Sequence, residues 1–166
     1  ALNDPINTVK INVLSTVQVL ELCLKYNIKR FIYASTIYVN SVDGGFYRSS
    51  KKAAEDYIVE YNKIFGLNYT ILRFGSLYGP RSNIKNGVYK FIYDAINNNK
   101  IVFKGEPESL REFIYVEDAA EGIILATENY DKSKAVKICF ISVLPSIRFT
   151  ECVKVFKSNL LNKKSQ

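Results

Sequence analysis

Two amphipathic helical stripes, each leading within a few residues into a short uncharged run of β-type residues, constrain the fold of this chain more than any other feature. From Pro5 to Tyr26, Val9, Val13, Val17, Leu20 and Leu24 recur at helical spacing, with Asp4 at the capping position and Pro5 in the first turn. Phe31-Ile32-Tyr33-Ala34 follows as a run suited to a buried strand. After a polar, Gly-containing loop from Asn40 to Gly45, the stripe returns between Phe46 and Phe65 as Ala53, Ala54, Tyr57, Ile58, Tyr61 and Ile64, and Gly66 stops it. Tyr69-Thr70-Ile71-Leu72 is the next strand. Helices that alternate with short buried strands predict an α/β fold with a parallel sheet and crossover helices.

The second half of the chain is more broken. Gly79-Pro80-Arg81-Ser82-Asn83 is turn chemistry, and Val88, Phe91, Ile92 and Ala95 predict a short helix. Ile101-Val102-Phe103 and Phe113-Ile114-Tyr115-Val116 read as short strands, and Asp118 to Thr127 as another helix. The sheet is expected to end near residue 75. Residues 1–78 form the sheet-bearing part, and 79–166 form a small mixed subdomain whose tail, from residue 134, shows no clear pattern.

Charge and missing residue types narrow the chemistry. A net charge of +7 favours anionic ligands such as phosphate, but the basic residues are scattered singly, so nucleic acid is not the expected partner. With no His and no paired-Cys spacing among three cysteines, neither a zinc site nor a Ser-His-Asp triad is expected, and no metal is assigned. Acid/base work therefore falls to Tyr, Lys, Asp, Glu or Cys. Cys23, Cys139 and Cys152 have no adjacent base and read as buried fillers of a reduced, cytoplasmic protein. The longest apolar stretch, Ile138 to Leu144, is interrupted by Ser142 and stopped by Pro145, far short of the ~20 residues of a membrane span. No export segment is expected, and the chain has no Met at all, which points to a processed start or a piece of a longer protein.

Tyr47-Arg48-Ser49-Ser50-Lys51 sets a phenol and an ammonium four residues apart, on one face of the helix they open. A nearby cation favours phenolate, and depressing a tyrosine from ~10 toward ~7 takes about 4 kcal/mol of differential stabilisation. The same spacing recurs at Tyr130 and Lys134, but only Tyr47 follows a strand that ends in hydroxyls, Ala34-Ser35-Thr36. Ligands of open α/β sheets bind at such carboxyl ends of strands.

Four ordered motifs carry a family resemblance. They are the strand ending in Ser35-Thr36; Tyr47-xxx-Lys51; Leu72-Arg73-Phe74-Gly75-Ser76-Leu77-Tyr78-Gly79-Pro80-Arg81; and Arg111-Glu112-Phe113-Ile114-Tyr115-Val116-Glu117-Asp118-Ala119-Ala120. Together with Asp4-Pro5 and Asn12 in the first helix, they resemble the extended short-chain dehydrogenase/reductases, and within them the NAD-dependent epimerase/dehydratase family that acts on nucleotide sugars. The resemblance covers roughly residues 1 to 128 and implies a partial Rossmann-type sheet with a small substrate-binding subdomain. It implies Thr36 as the hydroxyl that positions the sugar oxygen, Tyr47 as acid/base, and Lys51 as the group that binds the nicotinamide ribose and lowers the tyrosine pKa. Asn12 and Gly75 fall at cofactor-contacting positions, together with Thr36, Tyr47 and Lys51. Ser35, an alternate to Thr36 by one register, Ser76 and Arg111 fall at substrate-contacting positions. A planar guanidinium such as that of Arg111 suits nucleotide phosphates.

The departures are as informative. The eight glycines contain no GxGxxG or GxxGxxG spacing, so the turn that cradles a dinucleotide pyrophosphate is missing. The chain resembles the carboxyl-terminal part of such an enzyme, and the 166 residues alone are not expected to be active. Sugar 4,6-dehydratases of the family carry an Asp-Glu pair directly after the catalytic Thr; here Ile37 and Tyr38 stand there, which argues for epimerase, reductase or decarboxylase chemistry. The expected cofactor is NAD, with NADP as the other option, the expected substrate a nucleotide sugar, and the expected assembly a homodimer through helices 5–26 and 46–65. A non-catalytic relict or binding module is the alternative, and a basic nucleic-acid binder is a third reading.

Overall fold

The computed structural model describes residues 4–42, 44–102 and 112–128, and the backbone of 110–111, 138–141 and 147–148. The chain opens with one helical run in three pieces: α1 (Pro5–Val9), a π-helical stretch (Lys10–Leu14) and α2 (Ser15–Lys25). The Asp4 side chain accepts a hydrogen bond from the Asn7 amide at 2.9 Å, satisfying one of the free N–H groups of the first turn. Strand β1 (Phe31–Thr36) follows, then a 3₁₀ turn (Ile37–Asn40) and the long helix α3 (Gly45–Phe65). Gly66 ends α3 at φ +71, a conformation that side chains with a Cβ resist.

Strand β2 (Tyr69–Phe74) runs parallel to β1, with Phe31 opposite Tyr69 and Thr36 opposite Phe74. The order β1–α3–β2 is the expected crossover unit. A third parallel strand, β6 (Ile138–Ile141), lies on the other side of β2, so the sheet order is β1-β2-β6. The sheet thus continues beyond residue 75: the uncharged Ile138–Ile141 segment pairs with β2, which is buried along its whole length. Parallel sheets covered on both faces select such near-continuous apolar runs.

The chain divides into two compact units, Ala1–Phe74 with Ala120–Ile141, and Gly75–Ala119 with Ser142–Gln166. Within the second, β3 (Ser76–Tyr78) runs parallel to β5 (Phe113–Tyr115), and β4 (Leu110–Arg111) runs antiparallel to β7 (Ile147–Arg148). Helix α4 (Gly87–Asn98) is capped by the Asn86 side chain, and α5 (Val116–Glu128) starts with Glu117 and Asp118 in its first turn. Gly79 sits at φ +148, where a Cβ would meet Val116 Cγ1 at 2.6 Å, so this turn accepts no larger residue without displacement. Ile101 and Val102 do not form the expected strand, and Phe103 lies outside the described residues. So short an apolar run, two positions after the left-handed cap at Asn99, carries no alternation in its sequence that would set a ladder register.

The core of the first unit gathers Leu20 and Cys23 of α2, Tyr33 of β1, Ala54 and Ile58 of α3, and Leu67, Tyr69 and Ile71 at β2. Cys23 is the buried filler that its position in the helical stripe predicts, whereas the side chains of Cys139 and Cys152 lie outside the described residues. Among the described residues, no helix is long and apolar enough to cross a membrane. Ile71 is fully buried in this cluster. Ile71→Ala leaves a cavity there and should lower the unfolding free energy by about 2–5 kcal/mol, read as a fall in the urea midpoint at unchanged slope.

Candidate active site

Helix α3 carries Tyr47 and Lys51 one turn apart and lies over the carboxyl end of β1. The Lys51 ammonium donates to the Ala34 carbonyl at 3.0 Å and sits 4.7 Å above the centre of the Tyr33 ring. Burial lowers its pKa, and the negative charge of Glu55, one turn further along α3, opposes that fall. Tyr47 stands at the opening of the helix, exposed over part of its surface, and its phenol lies within electrostatic reach of Tyr38, in the 3₁₀ turn, and of Tyr33. Burial raises its pKa and Tyr38 adds to the rise.

That direction is opposite to the one the Tyr-xxx-Lys spacing predicts. The ammonium is engaged by the Ala34 carbonyl and the face of Tyr33, so desolvation dominates the surroundings of the phenol. Tyr33 itself is pushed up to about 12 by burial, as expected of a core aromatic.

The two candidate hydroxyls at the end of β1 differ. Ser35 is buried and donates to Glu55 Oε1 at 2.6 Å. Thr36 is also buried, and its oxygen accepts from the Tyr38 amide at 3.3 Å, capping the 3₁₀ turn. Asn12 lies in the π-helical stretch, where the widened turn leaves the α-helical hydrogen-bond pattern, and such bulges favour functional positions. Its amide donates to Ser50 Oγ at 2.9 Å, and Ser50 in turn donates to the Tyr47 carbonyl at 2.9 Å. The first helical run is thereby tied to the turn of α3 that holds Tyr47 and Lys51.

In the second unit, Gly75 is buried, and the Ser76 amide donates to the Glu112 carbonyl at 2.7 Å. Arg111 is a backbone position in β4; its side chain lies outside the described residues, as do Tyr130 and Lys134. Within the first unit, the Lys51 bond to Ala34 sets α3 beside the end of β1 that carries Ser35 and Thr36, and Asn12 reaches Ser50 on the turn between Tyr47 and Lys51.

The sequence motifs give no role to Glu55, Arg73 or Ser50, which the structure places beside the candidate residues. Arg73 Nε and Nη2 donate to the two carboxylate oxygens of Glu55 at 3.0 and 2.6 Å, and both residues are buried. The signal was present: an arginine inside an otherwise uncharged strand, and a carboxylate beside Ala54 on the buried face of α3. Buried charges are paired, so each implied a partner.

A parallel strand ending in hydroxyls under a helix that presents a phenol and an ammonium can hold a hydroxyl-bearing ligand and exchange a proton with it. Comparison with known proteins identifies the family. The family model "NAD dependent epimerase/dehydratase family" matches residues 1–141. A relative from Methanocaldococcus jannaschii, named "Putative UDP-glucose 4-epimerase", is 32% identical over 146 residues, covering 76% of this chain and 47% of that protein. Among solved structures, the UDP-glucose 4-epimerase of Thermotoga maritima with UDP-glucose aligns with a TM-score of 0.77 at 26% identity, over 95% of this chain and 55% of that one. The UDP-N-acetylglucosamine 4-epimerase of Methanobrevibacter ruminantium M1, in complex with UDP-N-acetylmuramic acid, shares the fold with a TM-score of 0.80 at 23% identity, over 96% of this chain and 56% of that one. The chain therefore spans about half the length of these proteins. With the match running from the first helix through β6, and the Rossmann-type parallel sheet shared, the chain belongs to the NAD-dependent epimerase/dehydratase family.

Proposed function

We propose that the protein carrying this chain is a nucleotide-sugar epimerase, which inverts a hydroxyl-bearing carbon by transient oxidation. The observation that carries this reading is Lys51 anchored to the Ala34 carbonyl at 3.0 Å, which holds the Tyr47 helix over the end of β1 that carries Ser35 and Thr36. Tyr47 takes the hydroxyl proton, Thr36 orients the sugar oxygen, and Lys51 binds the nicotinamide ribose. NAD, when bound, supplies the hydride acceptor. The donor set fits the nicotinamide-ribose end of that group, since an ammonium and a phenol share one helix face. The fit extends no further, because the sequence has no glycine-rich turn for the diphosphate.

Thr36 is favoured over Ser35 as the orienting hydroxyl. The Ser35 proton is committed to Glu55 at 2.6 Å, whereas Thr36 accepts only a long bond from Tyr38. Asn12 and Gly75 are the further cofactor contacts in this reading, and Ser76 and Arg111 of the second unit are the substrate contacts. The dehydratase branch is disfavoured, since the 3₁₀ turn after Thr36 carries Ile37 and Tyr38 and no carboxylate. Exposed apolar side chains on the first helical run, Ile6, Val9, Leu14 and Leu22, and on α3, Tyr57 and Ile64, support a homodimer through these helices. A cytoplasmic location belongs to this reading, and the buried free thiol of Cys23 supports it.

A non-catalytic binding module is the second reading. The two separate in one experiment. In the full-length protein, Tyr47→Phe should lower turnover about 10²- to 10⁴-fold while the purified protein still retains NAD. Turnover equal to the parent removes Tyr47 from the chemistry.

A second expectation follows from the raised phenol. Without dinucleotide, the tyrosinate absorbance lost on Tyr47→Phe should titrate above the ordinary value of 10.0, because burial opposes the anion. A midpoint below that value would mean that Lys51 already primes the phenol in the free chain.

A further inference from the structure

Within the first unit, Glu55 and Arg73 form a bidentate ion pair that is nearly sealed from water, at 2% and 8% exposure. Withdrawing two charges from water costs several kcal/mol per ion, and apolar residues of similar volume often hold a fold at least as well. The neighbours Ala54, Ile58, Ile71 and Leu72 already build such an apolar interior. Stability alone therefore does not account for the pair.

Its connections suggest another role. Glu55 Oε1 accepts from Ser35, the residue before Thr36, at 2.6 Å, and the sheet register sets Ser35 directly opposite Arg73. Arg73 Nη1 reaches Asn40 Oδ1 at 3.4 Å, at the end of the 3₁₀ turn that Thr36 caps. Glu55 stands one turn beyond Lys51 and two turns beyond Tyr47 on the same helix. One carboxylate thus links the helix bearing the phenol and ammonium to both segments that flank the threonine.

We propose that Glu55 is a positioning residue which, through Arg73 and Ser35, fixes the placement of Tyr47 and Lys51 relative to Thr36. This rests on the epimerase reading above. An apolar contact tolerates sliding, whereas a fork of two charge-assisted hydrogen bonds is directional in distance and angle. Small displacements matter, because a misplacement of about 1 Å can cost ~10²-fold in rate. Glu55 also favours the charged form of Lys51 where burial disfavours it. Tyr33 of β1 lies beneath that ammonium; Arg73 and Tyr69 of β2 and Tyr33 face Glu55; and Tyr38 and Tyr33 face Tyr47.

The test is Glu55→Gln in the full-length protein, with Asp56→Asn, which breaks the exposed Lys52–Asp56 pair on the same helix, as the control. NMR of the lysine ε-methylene gives the Lys51 titration midpoint without substrate or dinucleotide, and steady-state kinetics give kcat and KM. For Glu55→Gln we expect a Lys51 midpoint below the parent's and a kcat lowered ~10- to ~100-fold with KM nearly unchanged. The control should match the parent in both. A variant that melts earlier but keeps the parental midpoint and kcat would make the pair merely structural and overturn the proposal. Should Glu55→Gln not fold, Arg73→Lys keeps the charge and removes the fork: a kcat loss at steady KM supports positioning, and parental kcat overturns it. If the parent itself shows no epimerase activity, the functional reading fails, and the Lys51 midpoint still decides whether Glu55 governs that ammonium.

Discussion

The parallel pairing of β1 with β2 is the constraint on which the rest of the first unit depends. Parallel neighbours cannot be joined by a tight turn, so the chain must cross over, and here α3 is the crossover. Once α3 spans the sheet, its first turns lie over the carboxyl ends of the strands it connects. The Lys51 bond to Ala34 and the Glu55 bond to Ser35 both express that placement. The helix that closes the crossover thus also carries the titratable groups Tyr47 and Lys51.

The interior beneath that helix combines two kinds of contact. Leu20, Ile58, Ile71 and Leu72 are almost wholly removed from water, and each such side chain contributes roughly 1.5–3 kcal/mol by burial. Such contacts hold α2 and α3 against the sheet but specify their position loosely. The Glu55–Arg73 pair is directional, and the Asn12–Ser50 bond adds a second polar tie between the first helical run and the turn of α3 between Tyr47 and Lys51. Polar ties of this sort determine where groups stand more than how strongly the fold holds.

The electrostatics of the site are those of a half-buried surface. Desolvation raises the phenol of Tyr47 and lowers the ammonium of Lys51, so burial disfavours the charged form of each. The spacing of the two residues is local information, but the direction of their shifts is not. It depends on how deeply the end of β1 is covered and on which groups, Tyr33, Tyr38 and Glu55, the fold sets around them.

Features that depend on near neighbours in the chain are legible from the residues alone. Asp4 and Gly66 mark where helices begin and end, the alternation of stripes and apolar runs specifies a parallel sheet, and a spacing of four positions from Tyr47 to Lys51 sets both on one face of α3. These follow from backbone geometry with periods of a few residues. Long-range packing is what sets Ile138–Ile141 into the sheet beside β2, gives the carboxylate of Glu55 to Ser35 rather than Thr36, and makes Arg73 its ion partner. Those facts depend on strand register, which a shift of one residue would reverse, and register is settled by packing between segments far apart in the chain.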